Sequence, residues 1–224
     1  MVKKTLDIPV KGVALKGDLT FPEHPKGLII FSHGNSSSRL SPRDLYVAEQ
    51  MQQNGFATFL LDLLTPEENA HTEHGFDIHL LTLRLTLATL RLTKQADYPD
   101  WNIAYFGTST GSASALKAAA LLGPNLIKGI VSLGGRPDLA GTDLKYVKSP
   151  TLLMVGGLDT EVMKLNENAI DKLSCTKKLK IIQGASHLFE ETGKLEYVNE
   201  YSKYWFEKHL YWQTTELDKE LISS

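Results

Sequence analysis

The chain has 224 residues, 42% hydrophobic and 22% charged, with a formal net charge of -2 at pH 7. That length buries a core without a disulfide or metal staple, and the near-neutral balance excludes the basic field that a nucleic-acid backbone requires. The single cysteine, Cys175, leaves no intrachain disulfide and fits a reducing compartment. The opening MVKKTLDIPVKG puts no apolar stretch behind its lysine pair, and no run approaches the ~20 apolar residues of a membrane span. The expectation is a cytoplasmic protein with no nucleic-acid or membrane partner.

In chain order, segments 5–10 and 13–21 read as two strands about a turn at Lys11-Gly12. The run 27–32 (GLIIFS) is apolar almost throughout, which suits a strand buried on both faces of a parallel sheet. A helix follows over 42–53, with Ser41 as N-cap, Pro42 at the first helical position and Gly55 beyond its end. Another buried-strand run occupies 56–61. Residues 76–96 carry one apolar stripe at Phe76, Leu80, Leu83, Leu87 and Leu90 and a second at Leu81, Leu85, Ala88 and Leu92. They alternate in places like a strand but are too long for one, so they read as a helix with a wide buried face. Then come strand 102–106, an alanine-rich helix over 109–122, strands 127–133 and 151–155, helix 160–173, strand 179–182 and helix 194–209.

Strand and helix therefore alternate after a leading antiparallel pair, which implies a mostly parallel central sheet with helices on both faces. No repeat or linker divides residues 1–224, so one α/β domain is expected. Ligands of such sheets bind beyond the carboxyl ends of the strands, so the chemistry is sought in the loops that follow the apolar runs.

Gly107-Thr108-Ser109-Thr110-Gly111 sits between strand 102–106 and the alanine-rich helix. A serine on so sharp a strand-to-helix turn exposes its hydroxyl at a helix N-terminus, and glycines two positions either side avoid backbone collisions. The pattern is short and also occurs as a plain structural turn; its place after a buried strand gives it weight. A serine hydroxyl needs a base. His187, in Gly184-Ala185-Ser186-His187, follows the last strand, and Asp159, in Gly156-Gly157-Leu158-Asp159, follows strand 151–155. Taken singly, Asp159 could be only an N-cap and His187 only a surface residue. Together, in the order Ser, Asp, His, they form a candidate nucleophile, orienting acid and general base. The backbone N–H groups of Asn35, in the loop after strand 27–32, and Thr110 are the candidate oxyanion hole. His33 reads as a brace for that loop.

These residues resemble the α/β-hydrolase superfamily and, within it, the dienelactone-hydrolase-like proteins. The resemblance runs through FSHGNSSSR, LLDLLTPEE, GTSTG, GGRPDLA, VGGLDTEV and GASHLFEE, almost the whole chain. It implies an α/β-hydrolase fold with an antiparallel N-terminal hairpin and no large lid. It also implies a serine hydrolase that cleaves a small soluble ester or lactone through an acyl-enzyme, without a cofactor. Dienelactone hydrolases proper carry a cysteine at the elbow; Ser109 departs from that, and Cys175 lies away from every motif. The same residues would serve an acyltransferase, and a non-catalytic ligand-binding module is the contrasting class.

Arg39 and Arg136 follow strands and are candidate anchors for a substrate carboxylate or phosphate; the plainer reading is a loop-bracing ion pair, Arg136 with Asp62 or Asp138. Glu67, Glu68, His71, Glu73 and His74 cluster in one loop but match no metal-ligand spacing, so no metal is expected. Residues 210–224, with Tyr211, Trp212, Leu217, Leu221 and Ile222, extend the last helix, cover an edge or contribute to a dimer; monomer and homodimer both stay open.

Overall fold

Val2–Val10 (β1) and Val13–Phe21 (β2) pair antiparallel, and Val10 opposite Val13 leaves only Lys11 and Gly12 to turn the chain. Both turn residues have positive φ, 42° and 87°, the geometry that matches the twist of a two-residue hairpin. The computed structural model describes residues 1–34, 38–94 and 101–210, apart from the side chains at 72 and 73.

The hairpin joins an eight-stranded sheet of order β1-β2-β4-β3-β5-β6-β7-β8. The further strands are Leu28–Ser32 (β3), Ala57–Leu61 (β4), Ile103–Thr108 (β5), Ile127–Leu133 (β6), Thr151–Gly156 (β7) and Lys177–Ile182 (β8). β2 runs antiparallel to β4, and every pairing from β4 to β8 is parallel. Every residue of β3, β4, β5 and β7 is buried, which is why their sequences are continuous apolar runs rather than alternating ones. The edge strand β8 buries only Ile182, and its lysines reach outward, Lys177 to the Ile170 and Leu173 carbonyls and Lys180 over the Tyr201 ring.

Helices cover both faces. Pro42–Gln53 (α1) and Lys194–Leu210 (α6) place Val47, Met51, Val198, Trp205 and Phe206 in one core cluster with Phe31 and Phe106. Ile78–Leu92 (α3), Thr110–Leu122 (α4) and Thr160–Ile170 (α5) pack on the other face. Of the two stripes in α3, it is Leu81, Leu85, Ala88 and Leu92 that enter the core; Leu87 only flanks it, and Phe76, ahead of the helix, is exposed. Each fully buried leucine there contributes about 1.5–3 kcal/mol.

Short elements that the apolar pattern does not show fill the connections. Pro66–Asn69 (α2) is closed by a capping box between Thr65 and Glu68, and 3₁₀ turns span Thr72–Phe76 and Pro137–Tyr146. α5 stops at Ile170, short of residue 173, and β5 runs on to Thr108. Residues 95–96 and 211–224, including the expected edge or dimer segment, lie outside the described residues. Among the described residues no helix is long and apolar enough to cross a membrane.

Candidate active site

β5 feeds directly into α4, and Ser109 is the single residue between them, with φ 50° and ψ -128°. Holding a serine there costs of order 1–3 kcal/mol, so the surroundings must impose it. Close main-chain packing does so. A methyl group at Gly111 would stand 2.2 Å from the Ser32 carbonyl oxygen, and one at Gly107 would stand 2.7 Å from Ser112 Cα. The Ser109 carbonyl accepts the N–H groups of Ser112 and Arg136 at 3.1 and 3.0 Å. Ser32 Oγ and Ser114 Oγ both donate to the Gly111 carbonyl, at 3.0 and 2.9 Å. The elbow is thereby wedged against the end of β3.

Asp159 and His187 come from neighbouring strand ends. A methyl group at Gly156 would lie 2.4 Å from the carbonyl oxygens of both Ala185 and Ser186, so glycine lets the loops after β7 and β8 touch. The Leu158 N–H donates to the Ala185 carbonyl at 2.9 Å, and the Gly157 N–H to that of Ile182 at 2.9 Å. Asp159 occupies the N-cap position of α5 but makes no cap bond there. Its Oδ2 instead lies 2.7 Å from His187 Nδ1, the length of a charge-assisted bond. The Asp159 side chain is mostly buried and that of His187 is 44% exposed.

Ser109 and His187 open onto one cavity of about 440 Å³, walled also by Gly34, Pro42, Arg43, Leu188 and Leu195. Among the described residues no hydrogen bond joins Ser109 to His187; such bonds often close only when substrate is bound. Thr110 is the first residue of α4, and its hydroxyl donates to the Gly75 carbonyl at 2.9 Å. A methyl group at Gly34 would come within 2.8 Å of the Thr110 nitrogen and 3.0 Å of Ser109 Cβ, so the chain leaving β3 crosses the elbow closely. Asn35 lies outside the described residues.

Arg39 and Arg136 are both engaged by carboxylates. Arg39 Nη1 donates to Asp62 Oδ2 at 2.6 Å, its backbone N–H to Asp62 Oδ1 at 2.7 Å, and its Nε to Asp18 Oδ2 at 2.8 Å. Arg136 forks onto Asp138 through Nε and Nη2 at 2.9 and 2.8 Å. His33 is buried with Nε2 3.2 Å from Asp62 Oδ1, within ion-pair range but off the line of a good hydrogen bond. Burial pushes the Asp62 carboxyl up, yet His33 and Arg39 outweigh it and hold it below the ordinary carboxylate range. In the loop after β4, Glu68 is bound bidentately by Arg84 at 2.6 and 2.8 Å, and the His71 and His74 rings meet edge to face. Cys175 is partly buried, and its Sγ lies 3.7 Å from Thr151 Oγ1. Arg43, on the cavity wall, gave no motif. Asp62 was open to the rule that found Asp159, since it follows a buried strand.

A strained serine at a strand-to-helix elbow, beside a carboxylate-bound imidazole, on a parallel sheet with a leading hairpin, defines the α/β-hydrolase class. A dienelactone hydrolase from Anabaena variabilis ATCC 29413 is 47% identical in sequence, with a TM-score of 0.89 over 93% of this chain and 98% of its own. The chain belongs to the dienelactone-hydrolase family. Two esterases share the fold at lower identity. Est1E from Butyrivibrio proteoclasticus is 20% identical with a TM-score of 0.76, covering 91% of this chain and 98% of its own. Carboxyl esterase 2 from Tuber melanosporum is 18% identical with a TM-score of 0.74, covering 93% and 87%. Two Mycobacterium tuberculosis proteins, MT0597 (strain CDC 1551 / Oshkosh) and Rv0571c (strain ATCC 25618 / H37Rv), provisionally named phosphoribosyl transferases, are 48% identical over 198 residues. That match is 88% of this chain but 44% of their length. No protein-family model matches the chain.

Proposed function

We propose that the chain is a serine hydrolase that cleaves a small ester or lactone through an acyl-enzyme on Ser109, as one domain with no cofactor. The observation that carries this reading is the 2.7 Å Asp159–His187 contact opening on the cavity that Ser109 lines. Ser109 Oγ attacks the carbonyl carbon while His187 Nε2 takes its proton, and Asp159 stabilises the imidazolium through Nδ1–H. The oxyanion is met by the Thr110 N–H and by a donor from the loop after β3, for which Asn35 is the candidate. As the tetrahedral adduct collapses, His187 returns the proton to the departing alkoxide. Water then attacks the acyl-enzyme, His187 takes its proton and passes it to Ser109, and the acid leaves.

A cavity of about 440 Å³ suits a small molecule, and only 3₁₀ turns stand between β6 and β7, where a large lid would be inserted. The transferase name stays with the longer mycobacterial proteins; the hydrolase reading rests on this chain's own geometry. The test is a panel of p-nitrophenyl esters of increasing acyl length with a set of lactones. Turnover favouring short acyl chains and abolished by Ser109→Ala is expected. Turnover no faster than buffer on every member would contradict the proposal.

A further inference from the structure

Asp159 bonds the half-exposed His187 ring at Nδ1 and Arg43 Nη1 reaches the His187 carbonyl at 3.5 Å; the chain on either side sets the rest of its position. Upstream, the Ala185 carbonyl is held by the Leu158 N–H. The Ser186 N–H, immediately before His187, donates to both oxygens of the Glu191 carboxylate at 3.0 and 3.1 Å. Downstream, Phe189 takes φ 59°, rare for a bulky residue, while its ring is fully buried in the core beneath. The Glu191 carbonyl accepts the Lys194 N–H at 3.0 Å, which ties the far end of the loop to the start of α6. The turn carrying the base is thus closed on itself by one side chain, and the left-handed Phe189 needs such a closure to persist.

We propose that Glu191 is a positioning residue for His187: its carboxylate holds the Ser186 amide and so keeps the imidazole turned toward Asp159 and Ser109. The inference rests on the hydrolase reading of the site. Glu191 touches no reacting atom and exchanges no proton with substrate. Hydrogen bonds from Ser186 hold its carboxyl below the ordinary carboxylate range, so it is a charged acceptor at neutral pH. Glu200 on α6, its side chain 75% exposed and outside the wall of the Ser109 cavity, is the control for charge alone.

The test compares Glu191→Ala, Glu191→Gln and Glu200→Gln in the full chain, with kcat counted per site labelled by a fluorophosphonate. Glu191→Ala is expected to lower kcat about tenfold or more with KM within about twofold, because misplacement costs the chemical step rather than binding. Glu191→Gln, whose amide oxygen still accepts the Ser186 N–H, should recover to within about threefold of the parent. A second readout needs no turnover: the low-field proton NMR signal of His187 Nδ1–H bonded to Asp159 should broaden away in Glu191→Ala and persist in Glu191→Gln. If Glu191→Ala does not fold, Glu191→Asp, with its reach one methylene shorter, replaces it and should show the same direction of change. Unchanged kcat and an unchanged proton signal in Glu191→Ala overturn the proposal, as does an equal loss in Glu200→Gln. A parent without esterase activity but with a signal that depends on Glu191 would instead break the hydrolase reading and leave the positioning role standing.

Discussion

The elbow that carries Ser109 and the paired loops that carry Asp159 and His187 solve one positioning problem by different means. The elbow is gripped by main-chain packing: Gly107 and Gly111 leave no room for a methyl group, and the residues behind the turn are buried. The acid and base loops lie at the sheet's exposed end. There glycine is needed at the contact between them and at Gly184, with φ 69°, and amide, carbonyl and carboxylate pins do the rest. Ser109, the proposed nucleophile, must hold a strained backbone, which dense packing supplies. As the proposed base, the imidazole must take up and release a proton, which a fixed but solvent-near polar setting allows. Changes at the elbow should therefore register first in stability, and changes in the pins first in kcat.

The largest effect expected is Asp159→Asn. An amide that favours the wrong imidazole tautomer should lower kcat on p-nitrophenyl acetate by about 10³–10⁴-fold with little change in melting temperature; a loss under about tenfold would remove Asp159 from its role. Next comes Gly111→Ala, which drives a methyl group into the Ser32 carbonyl. It should cost about 3 kcal/mol or more in chemical denaturation, with activity lost alongside the fold. Wild-type stability in this variant would show that the elbow is not wedged as described.

A polar pin off the wall of the Ser109 cavity sharpens the contrast. The Arg84 guanidinium holds Glu68 at a pKa of about 2, against 4.5 for a free carboxyl. Because the folded value is the lower one, this stabilisation is complete above about pH 4.5 and is lost as the pH falls toward 2. Glu68→Gln should cost about 1 kcal/mol of stability at pH 7, since the pair is partly screened by solvent. The difference should fade on acidification while kcat stays at the parent level. A kcat change comparable to that of Glu191→Ala would blur the distinction between pins that aim the base and pins that only stabilise.

Much of this was legible in the chain because burial writes itself into composition. β3, β4, β5 and β7 are wholly buried apolar runs, Ser109 and Asp159 follow β5 and β7, and His187 follows β8. The hairpin turn was visible in Lys11-Gly12. What stayed hidden is joined across sequence distance or lacks an apolar signature. Asp62 binds Arg39, and Arg84 binds Glu68, pairs that only the fold brings together. The 3₁₀ turns have no periodic stripe, and the two apolar stripes of α3 could not be ranked without knowing which faced the sheet. The Ser186–Glu191 bond is local, but nothing in residue type marks that glutamate off from its neighbour Glu190.

The central claim is that Ser109 is a nucleophile activated through His187, and fluorophosphonate labelling of the folded protein followed by peptide mapping tests it most directly. The account predicts stoichiometric modification of Ser109, slowed about 10³-fold in His187→Ala. A folded protein whose Ser109 stays unmodified, or is modified as fast without the imidazole, would contradict it.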